Sequence, residues 1–227
     1  VDLNTGETLY SRNASKNFIP ASNMKLFSDA AALLALGPNY QFLTTLSTNA
    51  TRLEDGVLKG SVYIELPGDP SLTSEHLTTL LSGLKNWGIK RIDGHIILVS
   101  ARYGIDSYAP GWLEKDFIHS YAAPLAPLIL DENRLIVTVN PAARTGQNAR
   151  IELNTSNTGI TLQNQVTTNA SSKNCGINYV MDKKNQLTVH GCIGIGQWSG
   201  QQKIAIKNPL RYAKAHIKSD LKTLGII

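Results

Sequence analysis

A helix-forming segment near the start of the chain constrains the possible fold more than any other feature. Nine of the eleven residues from Leu26 to Leu36 are Leu, Phe or Ala. Pro20 precedes the segment and Gly37-Pro38 follows it, and these residue types are typical of the first turn and the end of a helix. A helix that is apolar on nearly every side is stable in water only when other elements pack around it. The sequence therefore predicts that this helix lies at the centre of a core.

Ser22 and Lys25 lie one turn apart at the entry to this helix. Residues three apart share a helix face, so the Lys25 amine can reach the Ser22 hydroxyl. A serine hydroxyl is a poor nucleophile without a base, and lysine can be that base where its surroundings favour the neutral amine. The pattern indicates a nucleophile, Ser22, with its base, Lys25. The alternative is that Ser22 only caps the helix and that Lys25 is a solvated first-turn residue.

The Ser-x-x-Lys spacing alone is weak evidence, because it recurs at Ser82 with Lys85 and at Ser219 with Lys222. Ser82 falls in an amphipathic segment, and Ser219 lies among charged residues near the end of the chain. Only Ser22 stands at the entry to an apolar helix, so the context favours that pair.

Matching stretches along nearly the whole chain, in order, carry a family resemblance. They are residues 18–22, 56–60, 67–72, 92–96 and 109–112, with Cys175 and Cys192. In these stretches the chain resembles the class C low-molecular-mass penicillin-binding proteins, D-alanyl-D-alanine carboxypeptidases that also act as endopeptidases. The resemblance implies an α/β (α+β) multi-domain fold, in which a penicillin-binding/β-lactamase-like transpeptidase domain carries a large β-rich inserted domain.

The same resemblance implies where the domains divide. Residues 1–45 and 200–227 are assigned to a partial catalytic domain, and residues 46–199 to the inserted domain. Residue patterns predict individual elements: a hairpin over residues 2–13, helices over 73–87 and 209–224, and strands over 89–99, 135–139, 151–153 and 203–206.

The family also carries Ser-x-Asn and Lys-Thr-Gly motifs, and only poor matches occur here. Ser47-Thr48-Asn49 looks like a strand running into a turn, and Arg144-Thr145-Gly146 lies in a polar loop. In the family the two motifs lie beyond the position where this chain stops. We therefore expect the N-terminal half or so of a larger enzyme, with little or no turnover by these 227 residues alone.

The resemblance implies acyl transfer with no metal and no organic cofactor. Ser22 would attack the carbonyl between the two terminal D-alanines of a peptidoglycan stem peptide, and Lys25 would take its proton. β-Lactam antibiotics would act as covalent inhibitors. Asp116 and Tyr121 match a stretch that contacts the diaminopimelate end of the substrate in the family. The alternative is that Asp116 is an exposed acidic residue in a turn and that Tyr121 is an aromatic residue that only packs.

Cys175 and Cys192 flank a predicted hairpin over residues 177–190. The hairpin would bring its two ends together, which favours a disulfide that would contribute roughly 3 kcal/mol. Two free buried thiols are the alternative, and zinc is disfavoured because no second Cys or His pair has ligand spacing. A disulfide implies an oxidising compartment, and the resemblance implies the bacterial periplasm.

Composition excludes several other classes of protein. A charged content of 17% and a net charge of +5 are typical of an ordinary folded chain, and the longest apolar run is too short for a bilayer span. Basic residues from Arg211 onward follow helical spacing, and there is no nucleic-acid motif. Two alternatives stay open: a non-catalytic cell-wall-binding or scaffolding module of the same fold, and another Ser-Lys acylase such as a β-lactamase or esterase. The long insertion argues against the second.

Overall fold

Alternating apolar residues form most of the strands, and two capped amphipathic segments form two of the helices. The computed structural model describes residues 1–100, 107–155, 159–197 and 200–227, and within them the helices are α1 (Met24–Leu36), α2 (Ser74–Asn86) and α3 (Pro209–Leu224). The strands are β1 (Thr45–Thr48), β2 (Leu53–Glu54), β3 (Val57–Leu58), β4 (Val62–Leu66), β5 (Arg91–Ile92), β6 (Ile96–Ser100), β7 (Arg134–Asn140), β8 (Arg150–Leu153), β9 (Thr161–Asn169), β10 (Ile177–Met181), β11 (Gln186–Gly194) and β12 (Gln201–Ala205). This content confirms the predicted α/β (α+β) class.

The strands of the described residues form four three-stranded sheets. Their strand orders are β1-β4-β6, β2-β3-β5, β12-β7-β8 and β10-β11-β9. The pairs β4–β6, β3–β5 and β9–β11 are parallel, and the other pairs are antiparallel. Parallel neighbours need a long crossover, and α2 provides it between β4 and β6.

The strand predicted over residues 89–99 is divided into β5 and β6, which belong to different sheets. The interruption lies at Asp93-Gly94, where Asp93 forms an ion pair with Lys59 at 2.9 Å. A Cβ on Gly94 would collide with the backbone of Gly60. The two backbones therefore approach too closely here for regular pairing to continue.

Local capping signals place α2 and α3 where they were predicted. The Thr73 side chain accepts a hydrogen bond from the His76 amide at the start of α2, at 3.2 Å. The Asn208 side chain accepts one from the Arg211 amide at the start of α3, at 2.9 Å. Gly225 ends α3 in the left-handed conformation, which glycine adopts without strain.

One cluster of buried side chains joins the two helices to the sheets. The buried residues of α2 recur at spacings of four and three, those of α3 follow Ala213 at a spacing of four, and along β4 and β7 buried residues alternate. The principal members are Leu77, Leu81 and Leu84 of α2, Tyr212, Ile217 and Leu221 of α3, Val62, Ile64 and Leu66 of β4, and Leu135, Val137 and Val139 of β7.

The chain divides into two compact units, Val1–Gln41 and Phe42–Ile227. The second unit contains the core, including the pairing of β12 with β7 and the packing of α2 with α3. Residues 200–227 thus pack within the second unit, and their assignment to a catalytic domain shared with residues 1–45 stays a prediction. No helix among the described residues is long and apolar enough to cross a membrane.

The hairpin predicted over residues 2–13 is wrong, because a turn without strands occupies this region. The Asp2 carboxylate accepts hydrogen bonds from the amides of Thr5 and Asn4, and these bonds lower the pKa of Asp2. A local turn of this kind competes with strand pairing. A hairpin of two strands without further partners is also only marginally stable.

The prediction that α1 is buried is also wrong, because none of its residues is buried. Leu34 is 87% exposed, and Leu26 and Phe27 are each at least 70% exposed. The unit that contains α1 has only 41 residues, and chains of about 40 residues rarely enclose a core without additional cross-links. An apolar sequence therefore forms the helix here without burying it.

Candidate functional site

Ser22 and Lys25 lie on either side of the boundary between a 3-10 turn and α1. The turn spans Ala21–Asn23, so Ser22 is at its centre, and Lys25 lies in the first turn of α1. Nζ of Lys25 donates a hydrogen bond to Oγ of Ser22, with 3.2 Å between the two atoms. The side-chain contact that the spacing predicted is therefore present.

The helix-cap alternative for Ser22 is wrong. The N-cap positions of the 3-10 turn and of α1 are Pro20 and Asn23, and neither makes a side-chain capping bond. The Ser22 hydroxyl is instead engaged by the amine of Lys25.

The two other Ser-x-x-Lys sequences lie inside helices, where their serines take part in hydrogen bonds within the same helix. Ser82 in α2 donates its hydroxyl to the carbonyl of Thr79 at 2.6 Å. Ser219 in α3 accepts a hydrogen bond at its own carbonyl from the hydroxyl of Thr223, at 3.0 Å. Neither stands at a helix entry, as the sequence context indicated.

The poor matches to the Ser-x-Asn and Lys-Thr-Gly motifs lie in a paired strand and in an exposed loop. Ser47 lies in β1 opposite Tyr63 of β4, and the Asn49 side chain accepts a hydrogen bond from the Ser61 amide at 2.8 Å. Arg144 lies in an exposed loop, where the following Gly146 amide bonds to the carbonyl of Thr168.

Asp116 and Tyr121 are brought together by two successive 3-10 turns, Glu114–Asp116 and Ser120–Ala122. The Tyr121 hydroxyl donates to Oδ1 of Asp116 at 3.4 Å. Partial desolvation raises the pKa of Tyr121, and the charge of Asp116 and this hydrogen bond raise it further. Tyr121 is 70% exposed, so it is available to a ligand and is not a packing aromatic.

The segment that carries this pair is attached to the edge of a sheet. The Ala205 amide of β12 donates to the carbonyl of Ile118 at 2.9 Å, and His119 forms a β-bridge with Ile204. The His119 ring lies nearly parallel to the Tyr121 ring, with 5.3 Å between the ring centres. Backbone pairing therefore fixes the position from which Asp116 and Tyr121 project.

A cleft of about 360 Å³ lies beside this segment. It is bounded by the segment itself, by β10 and by β12, and its polar lining residues are Lys115, His119, Asn178, Tyr179 and Gln202. None of these five residues was predicted from the sequence to belong to the site. No local pattern unites them, because they come from three segments that are far apart in the sequence, and β10 and β12 belong to different sheets.

The disulfide between Cys175 and Cys192 is present, with 5.0 Å between the two Cα atoms. It closes the β10–β11 hairpin, in which Ile177 lies opposite Gly191 and Met181 opposite Leu187. The prediction of a bond rather than two free thiols is confirmed.

The whole chain matches one protein family and several of its curated members. The model of the D-Ala-D-Ala carboxypeptidase 3 (S13) family matches residues 1–227. The chain is 28% identical over 227 residues to the D-alanyl-D-alanine carboxypeptidase DacB of Haemophilus influenzae, covering 99% of this chain and 47% of the relative. It is 30% identical over 177 residues to the D-alanyl-D-alanine carboxypeptidase of Actinomadura sp. strain R39, covering 75% of this chain and 32% of the relative.

Solved structures give the same result. The crystal structure of penicillin binding protein 4 from Haemophilus influenzae matches 96% of this chain and 48% of its own, at 29% identity and a TM-score of 0.84. The same protein in complex with a novel β-lactam matches with a TM-score of 0.72. The chain spans about half the length of this relative. By sequence along its whole length and by fold, the chain belongs to the D-Ala-D-Ala carboxypeptidase 3 (S13) family, as its resemblance to class C penicillin-binding proteins predicted.

Proposed function

We propose that this chain carries the nucleophile of a serine D-alanyl-D-alanine carboxypeptidase/endopeptidase that acts on peptidoglycan stem peptides. The observation that carries the proposal is the 3.2 Å contact between Nζ of Lys25 and Oγ of Ser22. It occurs at the entry to α1, in a chain matched over its full length by the family model.

The proposed reaction begins with proton transfer from Oγ of Ser22 to Nζ of Lys25. Oγ of Ser22 then forms a bond to the carbonyl carbon between the two terminal D-alanines. The C–N bond breaks, the departing D-alanine amine receives a proton, and water hydrolyses the resulting ester. In the endopeptidase reaction the bond that breaks is a D-alanyl cross-link.

The developing negative charge on the carbonyl oxygen needs hydrogen-bond donors. We assign one donor to the backbone N–H of Ser22, and the loss of one such donor typically lowers the rate roughly 10²- to 10³-fold. The matches to Ser-x-Asn and Lys-Thr-Gly, at Ser47 and Arg144, lie in a paired strand and in a loop. We therefore expect little or no substrate turnover by these 227 residues alone.

For Asp116 and Tyr121 we propose contact with the free ammonium group of diaminopimelate in the stem peptide. A carboxylate pairs strongly with an ammonium group in a partly dry site. The hydrogen bond between Asp116 and the exposed Tyr121 supports contact with a ligand at this position.

β-Lactams resemble the D-alanyl-D-alanine end of the substrate, and we propose that they acylate Ser22. No metal or organic cofactor takes part in the proposed chemistry. The Cys175–Cys192 disulfide supports an oxidising compartment, and we propose the bacterial periplasm. The alternative to this function is a non-catalytic cell-wall-binding or scaffolding module of the same fold.

The experiment that tests the nucleophile is intact-mass measurement after incubation with benzylpenicillin. The wild-type chain should gain the mass of one benzylpenicillin, and Ser22→Ala should gain none. Ser82→Ala is the matched control because Ser82 has the same spacing to a lysine but bonds to its own helix, so this variant should react as the wild type does.

An adduct that persists in Ser22→Ala would show that Ser22 is not the acylated residue. If the wild-type chain forms no adduct, the same measurement is made on a chain as long as the Haemophilus relative. A negative result there would favour the non-catalytic module.

A further inference from the structure

The cleft beside Asp116 and Tyr121 is a preformed feature of the second unit. One wall is anchored to β12 through the hydrogen bond between Ala205 and Ile118. The opposite wall, β10, is paired along its length with β11, and the disulfide lies at the end of that hairpin. The volume of about 360 Å³ falls within the range of small-molecule sites, about 300–1,000 Å³.

The polar lining indicates what kind of ligand the cleft accepts. Asn, Gln and Tyr side chains can each both donate and accept hydrogen bonds, and Gln202 and Tyr179 line the cleft, with Asn178 beside Tyr179 on β10. Among the residues that the structure describes, Lys115 is the only lining residue with an obligate charge, and none of the described lining residues is a carboxylate. The complementary ligand is therefore uncharged and rich in groups that themselves donate and accept, such as hydroxyl and acetamido groups.

The apolar part of the lining fits the same ligand class. Ile118, Ile177 and Ile204 supply an apolar surface between the polar groups, which suits the acetyl methyl groups and the carbon faces of sugar rings. Tyr179 is half-buried, and burial raises the pKa of its phenol. The hydroxyl therefore stays protonated and can act as a donor.

The cleft is continuous with the pair that we assign to the stem peptide. His119 lines the cleft and stacks on Tyr121, which bonds to Asp116. A ligand in the cleft and an ammonium group at Asp116 would therefore contact one short segment of the chain. This is the arrangement needed by a polymer with an uncharged backbone and charged side branches.

We propose that this cleft binds the glycan strand of peptidoglycan, an oligomer of N-acetylated amino sugars. The identity of the ligand rests on the proposed function. The stem peptide of the same polymer would extend from the cleft towards Asp116. The cleft thus gives the enzyme a second point of attachment to its substrate, separate from the bond that is cut.

Titration of the wild-type chain with N-acetylglucosamine tetramer, followed by backbone amide NMR, tests the proposal. Saturable shifts are expected at Asn178, Tyr179 and Gln202. Tyr179→Phe and Gln202→Ala should each weaken binding about two- to tenfold, as expected for the loss of one neutral hydrogen bond. Val180→Ala is the matched control, because Val180 is an exposed residue of the same strand that does not line the cleft.

The outcomes distinguish this proposal from the proposed catalytic function. Absence of saturable shifts in the wild-type chain overturns the proposal, even if benzylpenicillin still acylates Ser22. Saturable binding without acylation supports the cleft, and the role of Ser22 is then decided on the longer chain. Equal binding of a glucose tetramer, which lacks acetamido groups, overturns the assignment to N-acetylated sugars. Two cleft variants are used so that a folding defect in one leaves the other informative.

Discussion

At the scale of single residues, Asp131 links two helices through its two carboxylate oxygens. Oδ2 accepts a hydrogen bond from the Tyr212 hydroxyl of α3 at 2.7 Å. Oδ1 accepts one from the Ser74 amide at the start of α2 at 2.8 Å, where a negative charge is favourable. Tyr212 is only 1% exposed, so its hydroxyl depends on a partner within the protein.

This link predicts a specific pH dependence of stability. Burial, reinforced by Asp131, raises the pKa of the Tyr212 phenol, whereas tyrosine in the unfolded chain ionises near pH 10, about its ordinary value. The protonated Tyr212 hydroxyl therefore contributes to the free energy of unfolding below about pH 10, and this contribution is lost as the pH rises further. Tyr212→Phe should lower the free energy of unfolding at pH 7 by about 1.5–3 kcal/mol. From pH 10 to 11.5 the free energy of unfolding should fall with pH in both proteins. The slope for Tyr212→Phe should be smaller than the wild-type slope by about 1.4 kcal/mol per pH unit.

Urea denaturation at several pH values measures both effects. Tyr10→Phe is the control, because Tyr10 is 77% exposed, and it should follow the wild-type curve. Parallel wild-type and Tyr212→Phe curves above pH 10 would contradict the prediction.

At the scale of elements, two glycines have opposite requirements. Gly191 in β11 has a φ of +123°, and a Cβ there would collide with the carbonyl oxygen of Gly176 at the base of the hairpin. Gly83 lies inside α2, and a Cβ there would meet nothing within 4 Å. One glycine is required by the close approach of two strands, whereas the other only weakens a helix.

We therefore expect alanine substitutions of opposite sign. Gly191→Ala should lower the free energy of unfolding by roughly 2–4 kcal/mol, through steric overlap and backbone strain. Gly83→Ala should raise it by about 0.5–1 kcal/mol, because alanine is the better helix former. Urea denaturation of the two variants is the measurement, and a neutral Gly191→Ala would disprove the close approach.

At the scale of the whole molecule, the two units differ in what they bury. The second unit contains the core cluster, whereas no side chain of Val1–Gln41 is buried. The first unit also carries the exposed apolar residues of α1, among them Leu26, Phe27 and Leu34. Exposed apolar surface of this kind promotes association.

Removal of residues 1–41 should therefore leave the fold of the remainder intact. We expect residues 42–227 to unfold at the same urea midpoint as the full chain, because every residue of the buried core cluster lies in this unit. The shorter chain should also bind less of an apolar fluorescent dye and aggregate less. A clear drop in the urea midpoint would show that the first unit contributes to the core.

Most features encoded by neighbouring residues were predicted correctly from the sequence, although the hairpin over residues 2–13 was not. Helices α2 and α3 were placed by capping residues and helix-ending glycines, and the Ser22–Lys25 contact was placed by the geometry of one turn. The hairpin that the disulfide closes was predicted from two strand patterns around a turn. Each of these depends on interactions within about twenty residues.

Features that depend on distant pairing were decided only by the tertiary structure. The cleft unites residues near positions 117, 178 and 202, and the bond between Tyr212 and Asp131 spans 81 positions. The burial of α1 was predicted wrongly, because an apolar sequence specifies a helix but not what covers it. Local geometry is thus determined by the sequence itself, whereas burial and the meeting of distant side chains depend on which segments pack together.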